Sequence, residues 1–275
     1  MNSNFSIKFW GVRGSIACPG PKTVRYGGNT PCVEVRCGDN LVIFDGGTGA
    51  HPLGNELLRA GGPIEADIFL SHCHLDHIAG LPFFTPFFVP RHSFRLWAGN
   101  LLPAHNIEGV MRTMMNPPLF PIPVETFRAN IEYRDFRAGE VLYPKANVTL
   151  RTAPLDHPDG ATGYRLEYAG RVLAYLTDME SKGAFSPQLV ELARDADMMI
   201  YDCTYTTEEI ASKKGWGHST WQQGMRLANA AGAKTFCLFH HDPDHDDTFM
   251  DGVAAAARAA RPGTIVATEG VTIDL

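Results

Sequence analysis

The stretch Ser71-His72-Cys73-His74-Leu75-Asp76-His77 brings three imidazoles and one carboxylate into six positions, His72 to His77. Imidazole and carboxylate together suit zinc, iron or manganese, and a cluster this dense has donors enough for two ions. Cys73 lies between two candidate ligands, but side chains alternate along an extended segment, which turns its thiol away from His72 and His74. Other ligand-type residues stand at the ends of apolar runs: Asp156 or His157, Asp178, Asp202, His218, and His240 or His241. Side chains delivered from several strand ends argue for one shared site, and the chemistry these donors offer is metal binding.

Two further features bear on an anionic substrate. Gly11-Val12-Arg13-Gly14-Ser15 sets an arginine between glycines; it either presents a cation and backbone N–H groups to an anion or is a tight turn with a solvated arginine. The Pro- and Gly-rich loop from Cys18 ends in Tyr26-Gly27-Gly28-Asn29-Thr30, and a loop of this length inside a compact domain is often functional. Arg13, Asn29 and Thr30 are thus candidates to hold a phosphate. Asp45, before Gly46-Gly47, either orients a nearby metal ligand or caps a helix or turn.

The elements that must position these residues alternate between strand and helix patterns. Phe5 to Trp10, Cys32 to Arg36 and Leu41 to Phe44 read as strands, the last two joined by a hairpin turn at Cys37-Gly38-Asp39-Asn40. Leu53 to Arg59 is helix-like, and Ile68 to Leu70 leads into the histidine cluster, at the carboxyl end of a strand where α/β chemistry usually sits. After a Phe-rich packing run, Leu96 to Ala98 is a strand. The segment 101–127 mixes methionines with stiff prolines, the texture of a lid, a subunit contact or an irregular connection. In the second half, Val148 to Ala153, Ala161 to Tyr168, Val172 to Leu176, Met198 to Asp202, Phe236 to Phe239 and Thr264 to Thr268 read as strands. Helices are expected over Ser186 to Arg194, from about Thr220 to Ala231 with Ser219 or Thr220 as cap, and over Phe249 to Arg261.

With 275 residues, 44% of them hydrophobic, the chain has material for a large core, and no linker, charge block or low-complexity run divides it. One α/β domain spanning 1–275 is the expectation. The formal charge of −6 gives no footprint for tight, sequence-independent binding to a long polyanion. Met1 to Trp10 lack a basic start followed by an apolar core, and no apolar run approaches the length of a membrane span. Six cysteines without a Cys-x-x-Cys pair fit free thiols in a reducing cytoplasm, so the chain reads as soluble and cytoplasmic.

The His-x-His-x-Asp-His pattern at 72–77, with the later ligand-type strand ends, resembles the metallo-β-lactamase superfamily. That resemblance implies a four-layer αβ/βα sandwich with a dinuclear metal centre along one edge. The later motifs are more similar to the ribonuclease Z and phosphodiesterase branch: Gly217-His218-Ser219-Thr220 before a helix, a histidine at 240, His157 ahead of Gly160-Ala161-Thr162-Gly163-Tyr164, and Asp178 in Leu176-Thr177-Asp178. Carried over residue by residue, His72, His74 and His157 hold one ion, Asp76, His77 and His240 the other, and Asp178 bridges both. His240 is favoured over His241, which then supports the ligands or faces substrate. The interval from His157 to Asp178 is too short for the protruding tRNA-gripping arm of ribonuclease Z.

The resemblance therefore implies a hydrolase using two divalent ions, zinc first with manganese or iron(II) as alternatives. Asp76 orients the nucleophile or takes its proton, and His218 donates a proton to the leaving alkoxide or stabilises phosphoryl charge. The expected substrate is a small or cyclic nucleotide-like phosphodiester, with no long nucleic acid and no membrane as partner, and a homodimer contact is one use for segment 101–127. Hydrolysis at carbon, of a lactone, thioester or β-lactam, and a non-catalytic metal-binding sensor are the competing readings.

Overall fold

Alternating side chains along each strand explain why two sheets form and why each is buried on both faces. In β1 (Phe5–Gly11), Phe5, Ile7 and Phe9 point into a core shared by both sheets. β2 (Cys32–Cys37) and β3 (Asn40–Phe44) follow as the expected hairpin. α1 (Ala50–Ala60) then crosses to β4 (Glu65–Leu70), which splits its apolar side chains between the faces: Phe69 turns to the shared core, while Ala66, Ile68 and Leu70 turn outward under α1. The computed structural model describes residues 4–181 and 183–275, so the first three residues of the stretch read as lacking a leader lie outside it.

β4 ends at the ligand cluster, followed by the short α2 (Leu75–Ile78) and β5 (Ser93–Ala98). The Met/Pro segment contains α3 (Ile107–Met114), a helix that the irregular texture hid. Ile107, Met111 and Met115 are buried in the outer core of the first sheet, while Val110, Met114 and Phe120 help to wall a cavity of about 880 Å³ behind Cys73, Leu75 and Ile78. β6 (Asn130–Asp135) and β7 (Val141–Lys145) are strands that sequence reading missed, because edge strands half open to water carry no apolar run.

The second sheet is built from β7 and then β8 (Val148–Leu155), β9 (Ala161–Tyr168), β10 (Arg171–Leu176), β11 (Met198–Asp202), β12 (Thr235–Phe239) and β13 (Ile265–Val266). Three helices cover its outer face: α4 (Pro187–Ala193), α5 (Trp221–Ala231) and α6 (Asp247–Ala260). The last strand read from the sequence does not close the chain. β14 (Thr272–Asp274) returns to the first sheet and pairs antiparallel with β1. The orders are β14-β1-β2-β3-β4-β5-β6 and β13-β12-β11-β10-β9-β8-β7, seven strands each among the described residues. Helix, sheet, sheet and helix make the expected four-layer αβ/βα sandwich.

Parallel pairing of β3, β4, β5 and β6 in one sheet and of β10, β11, β12 and β13 in the other sets the carboxyl ends of these strands at common edges. The ligand-type residues follow β4, β8, β10 and β12.

Candidate metal centre

Among the described residues the histidines and aspartates from both sheets meet in three overlapping groups that could hold a metal ion: His72, His74 and His157; Asp76, His77, Asp178 and His240; and Asp178, Asp202, His218 and His240. In the first, His74 Nδ1 lies 2.9 Å from His72 Nε2 and 3.0 Å from His157 Nε2. In the second, Asp76 Oδ2 is 3.3 Å from both His77 Nε2 and His240 Nε2. Asp178 stands between them. Its Oδ2 is 3.7 Å from His72 Nε2 and 3.8 Å from His157 Nε2, and its Oδ1 is 3.3 Å from His77 Nε2 and 3.2 Å from His240 Nε2. Donors around a tetrahedral ion with bonds of about 2.0–2.1 Å are spaced roughly 3.3 Å apart, so these spacings fit a cation in each of the first two groups. His77 Nε2 is fully buried and has no hydrogen-bond partner among the described residues, an orphan that a cation explains.

Each buried ring is fixed by its other nitrogen, the support expected of metal-binding histidines. His72 Nδ1 meets Ser71 Oγ at 3.1 Å, His157 Nδ1 the carbonyl of Gly217 at 2.8 Å, and His240 Nδ1 Thr204 Oγ1 at 2.9 Å. Asp45 Oδ2 takes His77 Nδ1 at 2.8 Å, along with the hydroxyls of Tyr175 and Ser71. Of the two roles open to Asp45, orienting a ligand is the one its contacts match. Backbone strain gathers in the same place. Asp45, Asp178 and His240 have φ of 60°, 56° and 62°, left-handed values that non-glycine residues seldom hold without surrounding support.

Burial and charge sort the protonation states. Desolvation, helped by the neighbouring His77, holds His72 well below its usual range, and desolvation likewise lowers His157. Both rings stay neutral, the form that binds a metal. Burial would also lower His77, but Asp178, Asp76 and Asp45 outweigh it and raise it. Burial would raise Asp76 and Asp178. The histidines facing them reverse that and hold both carboxyls well below the usual carboxylate range.

His218 sits beside the second group, its ring stacked 5.0 Å from that of His240. Nδ1 is 3.0 Å from Asp202 Oδ2. Burial pulls the ring down, but Asp202, Asp178 and Asp76 push it up to about 9. Asp202 also accepts the amides of Met179 and Thr204, which fixes its carboxylate. The sequence offered Asp202 only as a strand-end carboxylate; its pairing with His218 links a strand to a loop and carries no local signal. After His218 the chain enters α5, where Thr220 accepts Gln223 N–H and Gln223 reaches back to the Thr220 amide. This capping box stabilises the helix start by about 1 kcal/mol.

The residues proposed to hold phosphate have other tasks. Arg13 is fully buried, with Nε 2.7 Å from the Gly27 carbonyl and Nη1 3.0 and 2.6 Å from the carbonyls of Asp242 and His245. It ties three loop segments together and presents no cation to substrate. Asn29 pairs with Glu269, and Thr30 Oγ1 accepts the Thr48 amide at 2.8 Å. The glycine-flanked turn serves the ligands directly. The Ser15 amide donates to Asp76 Oδ2 at 2.7 Å, and a Cβ on Gly14 would sit 2.4 Å from the His240 ring. His241 is buried facing away, Nε2 against the Ala267 carbonyl at 2.9 Å, and desolvation lowers it to about 3. It does not face substrate.

A family model described as a beta-lactamase superfamily domain matches residues 42–241. The chain is 28% identical to the ribonuclease BN of Cronobacter sakazakii, covering 86% of this chain and 90% of that one. Among solved structures, the metallo-beta-lactamase fold protein YhfI from Bacillus subtilis aligns with a TM-score of 0.71 at 17% identity, covering 99% of this chain and 100% of that one. A diphosphatase from the PhnP family aligns with a TM-score of 0.68 at 19% identity, covering 99% and 97%.

Proposed function

This chain belongs to the beta-lactamase superfamily, and on that premise we propose that it is a two-metal phosphodiesterase acting on a small or cyclic nucleotide-like diester. His72, His74 and His157 would hold one divalent ion, Asp76, His77 and His240 the other, and Asp178 both. Zinc suits this set of imidazoles and carboxylates first, with manganese or iron(II) as alternatives. Bound there, the ions supply a water of lowered pKa and positive charge opposite the phosphoryl oxygens.

The chain's own residues do the rest. Asp76 stays ionised beside His77 and His240, so it serves as a ligand and as a hydrogen-bond acceptor that orients the attacking water rather than as a store for its proton. The Ser15 amide keeps its carboxylate in line. His218, charged and held through Nδ1 by Asp202, offers Nε2 to the leaving alkoxide as proton donor. The observation that carries the reading is the Asp178 carboxylate divided between two ligand groups, with the Asp202-held His218 alongside.

Two facts favour a small substrate over a long RNA, although the ribonuclease relative acts on RNA by its name. β9 and β10 are joined by a tight turn at Ala169-Gly170, which leaves no arm between His157 and Asp178. The net charge of −6 also works against a long polyanion. Among the described residues no helix is long and apolar enough to cross a membrane, and Cys18, Cys32, Cys37, Cys73, Cys203 and Cys237 are free thiols, in keeping with a cytoplasmic setting.

The test pairs metal analysis with a substrate screen on one preparation. Two divalent ions per chain are expected, with turnover of bis(p-nitrophenyl) phosphate and of 2′,3′- or 3′,5′-cyclic nucleotides and none of lactones, thioesters or penicillins. Fewer than one ion per chain, with no activity after zinc or manganese is added, removes the reading.

A further inference from the structure

The loop from Cys203 to Gly217 carries a side chain that neither core nor metal ligation accounts for. Trp216 is 57% exposed, two residues before His218 and one before Gly217, whose carbonyl supports His157. An exposed indole offers a large, rigid contact surface at low conformational cost. The exposure is also built rather than incidental. Gly215 and Gly217 have φ of +82° and +83°, left-handed values on both sides of Trp216, and the amides of both donate to the Glu180 carboxylate, Gly215 at 2.9 Å and Gly217 at 3.3 Å. Glu180 lies two residues after Asp178. The segment after β10 that carries Asp178 therefore also clamps the backbone on either side of Trp216.

A cation accompanies the indole. Lys213 Nζ lies 4.1 Å from the Trp216 ring centroid and 5.7 Å from that of Tyr205, and the Tyr205 ring meets His218 edge-on at 5.8 Å. The His218 ring, Tyr205, the Lys213 ammonium and the exposed indole thus follow one another in contact, with the indole at the outer end of the run.

We propose that Trp216 and Lys213 are the substrate-recognition platform of this enzyme, and that the diester it cleaves bears a nucleobase that stacks on the indole while the ammonium meets the substrate's negative charge. This assignment rests on the phosphodiesterase reading and names what its substrate must carry. Stacking on an aromatic side chain is tolerant of base identity, so the platform selects base-bearing diesters without selecting one base. Glu180 is a positioning residue: its carboxylate takes the loop amides of Gly215 and Gly217, and its own amide donates to the Asp156 carbonyl.

The test compares adenosine 2′,3′-cyclic phosphate with glycerol 1,2-cyclic phosphate, which has the same cyclic diester and no base. Trp216→Ala is expected to cost the adenosine substrate roughly 5- to 150-fold more kcat/KM than the glycerol substrate, mostly through KM, the span of one base–aromatic stack. Trp216→Phe restores part of that selectivity, and Glu180→Gln reduces it with the indole still present. Equal losses on the two diesters overturn the platform. AMP titration followed by tryptophan emission decides independently of turnover: quenching in the native protein that is lost in Trp216→Ala supports it, and equal quenching in both overturns it. Turnover of neither diester overturns the small cyclic diester as substrate and leaves the quenching result to decide the platform.

Discussion

His218 and Asp202 make a donor pair whose parts have separable effects. On the proposed reading His218 meets substrate, while Asp202 meets His218, two backbone amides and the Thr204 hydroxyl, so the two substitutions differ in kind. His218→Asn is expected to lower kcat by about 10²- to 10³-fold with little change in KM and with metal content unchanged, since the ring is outside both ligand groups as assigned. Steady-state kinetics and metal analysis of the same sample check it; a variant that turns over normally ends the proton-donor role. Asp202→Asn tests the electrostatics. The Asp202 carboxylate opposes the downward pull of burial on His218, so its removal lowers the pKa of the imidazolium. A general acid must be protonated to work. The descending limb of the pH–rate profile should then begin at lower pH in the variant than in the native enzyme, and an unmoved limb means that another group carries the proton.

At the scale of elements, the turn after β1 is where sequence reading and structure part most clearly. Arg13 between Gly11 and Gly14 looks the same in sequence whether its guanidinium meets an anion or three loop carbonyls, because its partners at Gly27, Asp242 and His245 come from distant segments. The need for Gly14 is equally invisible, since it arises from the His240 ring more than two hundred residues away. Strands with apolar side chains on both faces, and the ligand-type residues that follow them, are legible because burial leaves a mark in composition. The half-exposed β6 and β7 and the return of β14 to β1 leave none. α3 was hidden by prolines on its far side, although Asn106 caps it by accepting the Gly109 amide. Gly14→Ala follows from this geometry. Its Cβ would sit 2.4 Å from the His240 ring, so the expected result is a displaced ring and metal content falling from two ions toward one, with the group at His72, His74 and His157 still occupied. Retention of two ions in a folded Gly14→Ala protein would show that the turn is not the second site's template.

For the whole molecule, the proposed centre joins two halves that also meet through an apolar core crossed by a few hydrogen bonds, Tyr175 to Asp45 and Tyr164 to the Leu70 carbonyl among them. His72, His74, Asp76 and His77 follow β4 of the first sheet, while His157, Asp178 and His240 follow β8, β10 and β12 of the second. Each ion would have ligands from both sheets, His157 completing the group of His72 and His74, and His240 with Asp178 completing that of Asp76 and His77. Binding to such a divided site requires the sheets to be assembled, because the unfolded chain keeps only the local 72–77 cluster together. The ions should therefore stabilise the fold as well as the reaction. By linkage, an ion at a thousand times its Kd contributes about 4 kcal/mol, less whatever the unfolded cluster binds. Removing the ions with a chelator is expected to lower Tm by several degrees, and adding zinc or manganese in excess should restore it. Asp178→Asn should show a low Tm that added metal barely raises, since it takes a carboxylate from both groups at once. Under this model the apparent ion effect also shrinks as pH falls through the histidine range, where the unfolded imidazoles take up protons that the ligand-bound rings cannot. Scanning calorimetry of native protein and of Asp178→Asn, each with chelator and with added metal and repeated at several pH values, measures all three. A chelator-independent Tm would mean that the apolar core alone holds the sheets together and that the ligand cluster adds nothing to their assembly.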